Sequence, residues 1–381
     1  MQLNKNKTYI LSISLIASTL YSIGGYSAYN DINIYFVVLA SYLTFSFLVI
    51  SLSSYNNNTK SKRLLTCIFS ILLLLITLNF ILPFEAWLLP GRLKYKMFNN
   101  RSGVLYAIVV MYIPYLLSEI KKGYTFYITA GFSAMVVLVS LGRNPSLIYF
   151  LLILSRIGFR NIFLIPLGIT GAFIAIFIDN VRAVGLNYEL VDRFLSLKYL
   201  EYFNHSGEAT VFGRLYSVYI HHPSFQDISF FSYKTIISPV IGLIPDFLSP
   251  IESTPHLARL IGDLYNTTGG LPLAIEGLWY FGIIGIPTIY ILTFLPIFII
   301  IKIKIIGNDM KKALLLFLFI NSLRIDSATI YGFFFNGMFI IFIHLAIENI
   351  LRRISHEKSI THWNQYKFRF FWKSYTNPKI N

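Results

Sequence analysis

The chain has 381 residues, of which 55% are hydrophobic and only 13% charged. A soluble globular fold carries about 25% charged residues, so there are too few charges here to clothe one or two water-facing cores. A formal charge of +15 usually points to nucleic acid or an acidic partner. In a chain this apolar it first raises the question of which side of a bilayer the charges occupy, and no nucleic-acid partner is expected. The composition predicts an all-α, polytopic transmembrane helix bundle, and an aromatic share of 17% suits two interfacial belts of Tyr and Trp.

A spanning helix needs ~20 mostly apolar residues, each rising ~1.5 Å across a ~30 Å hydrocarbon core. Lys5 and Lys7 precede an apolar run from Tyr9 to Tyr26 that could pass for a signal peptide. It lacks a small-x-small cleavage site and a second apolar run begins near Ile34, so a retained first span is expected. Candidate spans follow at 8–26, 33–54, 64–82, 103–120, 124–141, 145–157, 162–179, 278–301, 312–324 and 328–350, about ten in all, the sixth and ninth being short. The single cysteine, Cys67, lies in the third of these runs. It excludes an internal disulfide and a thiolate metal cluster, and reads as a small buried hydrophobe.

Basic residues orient the set. Lys5 and Lys7, the Lys60/Lys62/Arg63 loop, Lys121 and Lys122, Arg156 and Arg160, the 302–312 loop, and Arg352/Arg353 all fall on one face. That face is read as cytoplasmic, with both termini on it. The chain then divides into a bundle of spans one to seven (1–179), a long external stretch (180–277), spans eight to ten (278–350), and a basic, aromatic cytoplasmic tail (351–381). Within the external stretch, an apolar run at 236–248 broken by Pro239 and Pro245 predicts a re-entrant or membrane-surface helix. The tail, with Lys358, Lys367, Arg369, Trp363 and Trp372, reads as an interfacial anchor on membrane lipid.

After orientation the outside still carries Arg92, Arg101, Arg143, Arg182, Arg193, Arg214, Arg259 and Arg324, where the positive-inside rule predicts depletion. Arg143 follows a span in Ser140-Leu141-Gly142-Arg143, Arg101 precedes one in Asn100-Arg101-Ser102, and Arg324 ends one in Asn321-Ser322-Leu323-Arg324. Any single arginine could snorkel or pair with Asp326, Asp179 or Glu85. The set as a whole suits a ligand with a lipid tail and a diphosphate head, because guanidinium binds phosphate bidentately and stays charged.

A second patch runs from His256 through Arg259, Asp263 and Asn266 to Glu276 at the start of the eighth span. Gly282 and Gly285 there suit close helix packing. Glu276 could be a general base, a hydroxyl-orienting group or an arginine's partner. His205, His221 and His222 are external but lack metal-ligand spacing, so no metal site and no cofactor are expected. His344 is read as a packing or hydrogen-bonding group within its span. There is no Walker A loop, no dinucleotide fingerprint and no soluble catalytic domain.

This layout resembles the O-antigen (oligosaccharide repeat unit) polymerases, the Wzy-type family. Ser140-Leu141-Gly142-Arg143 is similar to the family's small-residue-plus-arginine turn. Gly262-Asp263-Leu264-Tyr265-Asn266, followed by Glu276-Gly277-Leu278-Trp279-Tyr280-Phe281-Gly282-Ile283-Ile284-Gly285, is similar to its acidic-Tyr-Asn patch leading into a G-x-x-G span. The resemblance implies a membrane glycosyltransferase of the bacterial inner membrane, with its active site facing the periplasm. Donor and acceptor would both be undecaprenyl-pyrophosphate-linked oligosaccharide, and a chain-length regulator would be a further partner. Arg143, Arg214, Arg259, Arg324 and Arg101 would then hold the diphosphate, and Glu276, His256 or Asp263 would serve the acceptor hydroxyl. Two other readings stay open: an O-antigen ligase using the same donor, and a transporter or flippase of the lipid-linked unit. The latter class expects related halves and broken helices.

Overall fold

The computed structural model describes residues 5–29, 31–52, 64–83, 103–157, 192, 208–221, 270–302, 306–327 and 329–350. Every regular element among them is helical, and each predicted span within them holds a helix. The segment 162–179, the run at 236–248 and the tail lie outside the described residues.

The first two helices, α1 (Lys5–Tyr29) and α2 (Asn33–Leu52), form a hairpin. Its turn is closed by Asp31, whose Oδ1 accepts the Asn33 N–H at 2.9 Å, satisfying a donor that the start of α2 leaves unpaired. α3 (Leu64–Ile81) follows. The next helix, α4, is not uniform: Gly103–Ala107 and Ile113–Ser118 are α-helical, but Ile108–Tyr112 between them is a π-helix. Pro114 follows in the next turn. At π pitch residue 114 would donate to Val109, and proline has no N–H to give. The Tyr149 hydroxyl fills the gap, donating to the Val109 carbonyl at 2.6 Å.

Helices α5 (Tyr124–Leu141) and α6 (Arg143–Ile157) are separated by Gly142 alone, at φ +96°, a conformation that favours glycine. That one residue turns the chain into a packed hairpin. α7 (Glu208–His221) packs along α1 through Phe212, Leu215 and Tyr216, which are buried. α8 (Leu273–Phe281), α9 (Gly285–Lys302) and α10 (Asn308–Ser322) come next, and the last helix, α11, is Thr329–Ile350.

α10 is the centre. Its side chains from Met310 to Phe319 are buried on all sides, as expected for a helix enclosed by others. Phe45 of α2 stacks on Phe319 of α10 at 4.3 Å and meets Phe294 of α9 edge-on at 5.2 Å, locking three helices at one aromatic seam. With 15 residues α10 is about 22 Å long, so it falls short of a bilayer core.

Four segments are long and apolar enough to cross a membrane: Asn33–Leu52, Tyr124–Leu141, Leu273–Lys302 and Thr329–Ile350. The outward faces agree. On α2, Phe36, Leu39, Leu43 and Phe47 are exposed, and on α3 Ile68, Leu72, Ile76 and Phe80 are, at helical spacing. A helix facing water reverses that arrangement, whereas continuous exposed apolar stripes suit lipid. The chain fits a helical membrane protein.

Three basic residues of the described segments, Lys7, Arg156 and Lys312, close helix ends. Lys7 donates to Ile50 O at the end of α2, and Lys312 to Ser155 O at the end of α6, at 2.9 Å. Arg156 donates to Ile120 O at 2.7 Å and to Ser118 O, closing α4, and pairs with Asp309 of α10 at 3.2 Å. Its guanidinium also lies 3.8 Å from the centre of the Phe126 ring.

Candidate functional site

Residues 270–285 do not form one helix. Pro272 begins α8, accepting N–H bonds from Ile275 and Glu276 at 3.0 Å. Gly282 ends it at φ +62°, and a short 3-10 turn then leads into α9. The chain folds back there, so that Gly277 lies against Gly285. A Cβ on either would overlap the other's backbone. The expected eighth span, 278–301, is therefore broken at Gly282, and only α9 runs on through the bundle. Of the two glycines expected to pack, Gly285 does so, against Gly277 within one helical hairpin, whereas Gly282 has open space around it and serves the turn.

This fold-back carries Glu276 into the protein. Its side chain is 4% exposed, and both of its oxygens are bound by one residue: the Ser327 N–H donates to Oε2 at 2.8 Å and the Ser327 hydroxyl to Oε1 at 2.7 Å. Asp326, beside Ser327, is also buried, and its Oδ1 accepts the Thr329 N–H at 2.9 Å. Both carboxylates thus meet unpaired N–H groups at the start of α11, where the helix dipole favours negative charge. Asp326 serves as a helix cap there.

Arg324 stands in the same turn, half-buried, with its N–H bonded to Asn321 O at 2.8 Å. Gly270 runs directly beneath: a Cβ there would sit 2.6 Å from the Arg324 carbonyl. Segments 270–276 and 324–327, distant in sequence, are therefore pressed together, and two of the singled-out residues, Glu276 and Arg324, share one junction. Tyr331, a turn further along α11, ties it to α9 by donating to Leu292 O at 2.6 Å.

The other candidates are placed as follows. Arg214 is exposed on α7, away from the face that buries Phe212 and Tyr216. α7 reaches α8 through Tyr219, whose ring centre lies 5.8 Å from that of Trp279. The Tyr216 phenol is raised above its ordinary range, first by burial and then by the charge of Asp31. Arg143 is the first residue of α6, immediately after the Gly142 turn. Arg101, Arg259, His256 and Asp263 lie outside the described residues. No group of three His, Cys, Asp or Glu side chains that could hold a metal occurs among the described residues.

Sequence reasoning missed Ser327. A signal was present: Asp326-Ser327-Ala328-Thr329 before an apolar run has the spacing of a helix start, and a first-turn donor can hold a carboxylate from elsewhere. Chemically, the junction offers two buried carboxyl groups, Glu276 and Asp326, a guanidinium on the same turn, and Tyr331 nearby. No family model, no curated protein and no solved structure matches the chain.

Proposed function

We propose that the chain is a membrane glycosyltransferase that polymerises lipid-linked oligosaccharide repeat units at the outer face of a bacterial inner membrane. The observation that carries this reading is the meeting of segments 270–276 and 324–327, which joins Glu276 to the turn bearing Arg324. That junction lies at the C-terminal end of α10, while the Arg156–Asp309–Lys312 group lies at its N-terminal end. With the cationic end taken as cytoplasmic, the junction faces outward, where a polyprenyl diphosphate presents its head.

The reaction needs positive charge as the diphosphate leaves, which arginine supplies without a metal. Arg324, Arg214 and Arg143 are assigned this work, with Arg259 and Arg101. Glu276 is held through both oxygens, so its part is to fix the turn on which Arg324 stands. The acceptor hydroxyl then falls to His256 or Asp263. The test is the size ladder of surface polysaccharide in cells with and without the chain. A polymerase predicts a ladder that collapses to single repeat units in its absence and in Arg324→Ala. Bare core in its absence would instead identify a ligase, and an unchanged ladder in the Arg143, Arg214, Arg259 and Arg324 alanine variants, expressed normally, would remove the diphosphate role.

One observation favours a second reading, transport of the lipid-linked unit. The break at Gly282, with α8 folded on α9, is the kind of discontinuous helix on which transporters build sites. Movement of the unit across liposomes without extension would select it.

A further inference from the structure

Four helices converge where α1 turns into α2. α7 packs along α1, and α8 touches both α7 and α2. Aromatic rings concentrate there: Tyr26 and Tyr35 lie 5.2 Å apart across the α1–α2 turn, Tyr216 and Tyr219 lie 6.3 Å apart on α7, and Tyr219 meets Trp279 of α8 at 81°. Tyr219 and Trp279 are half-buried. A carboxylate, Asp31, stands in the α1–α2 turn itself, half-buried and bonded to the Asn33 N–H. Its charge reaches the Tyr216 phenol.

The combination narrows the ligand. Asp31 gives the turn one bond, through Oδ1 to the Asn33 N–H, and a carboxylate has further acceptor positions that acyl chains cannot use and that repel a phosphate. A sugar ring has a C–H face that lies on an aromatic ring and a rim of hydroxyls that donate to carboxylate and phenol oxygens. We infer that the junction of the α1–α2 turn, α7 and α8 binds a saccharide ring, stacked on Tyr219 and Trp279, with hydroxyls bonded to Asp31 and Tyr216. Trp279 lies one helical turn beyond Glu276 on α8, so a saccharide held there extends toward the Glu276–Ser327 junction. Taking the repeat unit as the source of this sugar rests on the function proposed above; the binding site itself does not.

The experiment uses the full-length chain in detergent and the oligosaccharide freed by mild acid from the lipid-linked repeat units of the cells that make it. Tryptophan fluorescence is titrated with this glycan, in the unmutated chain and in Trp279→Phe, to isolate the signal of one of the four tryptophans. A saturable change that vanishes in Trp279→Phe is expected. Tyr219→Leu, which keeps apolar bulk but loses the ring, should weaken binding about tenfold, and Tyr219→Phe should stay within about twofold. If Tyr219→Leu does not fold, Asp31→Asn replaces it, with about threefold weakening expected from one lost charge-assisted bond. No saturable signal, or equal affinity in Tyr219→Leu and the unmutated chain, overturns the site. Binding as described without polymer extension counts against the reaction alone. Extension with binding indifferent to these substitutions counts against the saccharide site alone.

Discussion

Where α2, α4 and α6 end, their last carbonyls meet Lys7, Arg156 and Lys312; where α11 begins, its first N–H groups meet Glu276 and Asp326. Both ends of the bundle solve the same problem with opposite charge. A helix leaves unpaired acceptors at one terminus and unpaired donors at the other, and in a chain poor in water contacts those groups need partners from the protein. Cations at C-termini and anions at N-termini also follow the helix dipole. At the end holding Arg156 and Lys312, the charges are spent on carbonyls and on Asp309. At the other, the carboxylates do the closing, and two arginines, Arg214 exposed and Arg324 half-buried, stand on that side.

Substitutions can break this comparison. Arg156→Leu should have the largest effect, about 3–5 kcal/mol, since it removes a buried cation, strands two carbonyls and leaves Asp309 with Lys312 alone. Loss of monodisperse protein in detergent and a lowered unfolding midpoint would show it. Arg156→Lys should recover less than half, because one ammonium cannot reach Ser118, Ile120 and Asp309 together. Glu276→Ala should cost about 2–3 kcal/mol by orphaning the Ser327 donors. Glu276→Gln sharpens the point: its carbonyl still accepts one bond, so about half the loss should return. A Gln variant as stable as the unmutated chain would mean that negative charge is not needed at the start of α11, and the symmetry of the two ends would fail. Tyr149→Phe, away from both ends, should cost only about 1 kcal/mol through the Val109 carbonyl.

How much of this was legible in the sequence follows from range. Hydrophobic runs and their basic flanks are local, so the helices at 33–52, 124–141 and 308–322 are close to where the runs place them. Gly142 and Arg143 were readable as a turn for the same reason. The fold-back at Gly282 was not, because Leu273–Lys302 reads as one apolar run. A glycine in such a run suits a packed helix as well as a break, and only the approach of Gly277 to Gly285 decides. Glu276 could be singled out as a carboxylate at the start of an apolar run. Its partner could not, since Ser327 lies 51 residues away and nothing local marks it as a donor to that residue. The π segment of α4 was missed because nothing in its own apolar run marks it, and Tyr149, which meets its Val109 carbonyl, lies on a neighbouring helix.

The placing of Arg214 and Arg324 at the α8–α11 end is the central claim, because the proposed diphosphate site is built on it. Purified full-length protein, given lipid-linked repeat units in detergent, tests it most directly. The account predicts that products lengthen by whole repeat units with release of free polyprenyl diphosphate, and that Arg324→Ala abolishes this in a chain that still folds. Purified, folded protein that leaves the units at their starting length, while carrying them across liposome membranes, would contradict it.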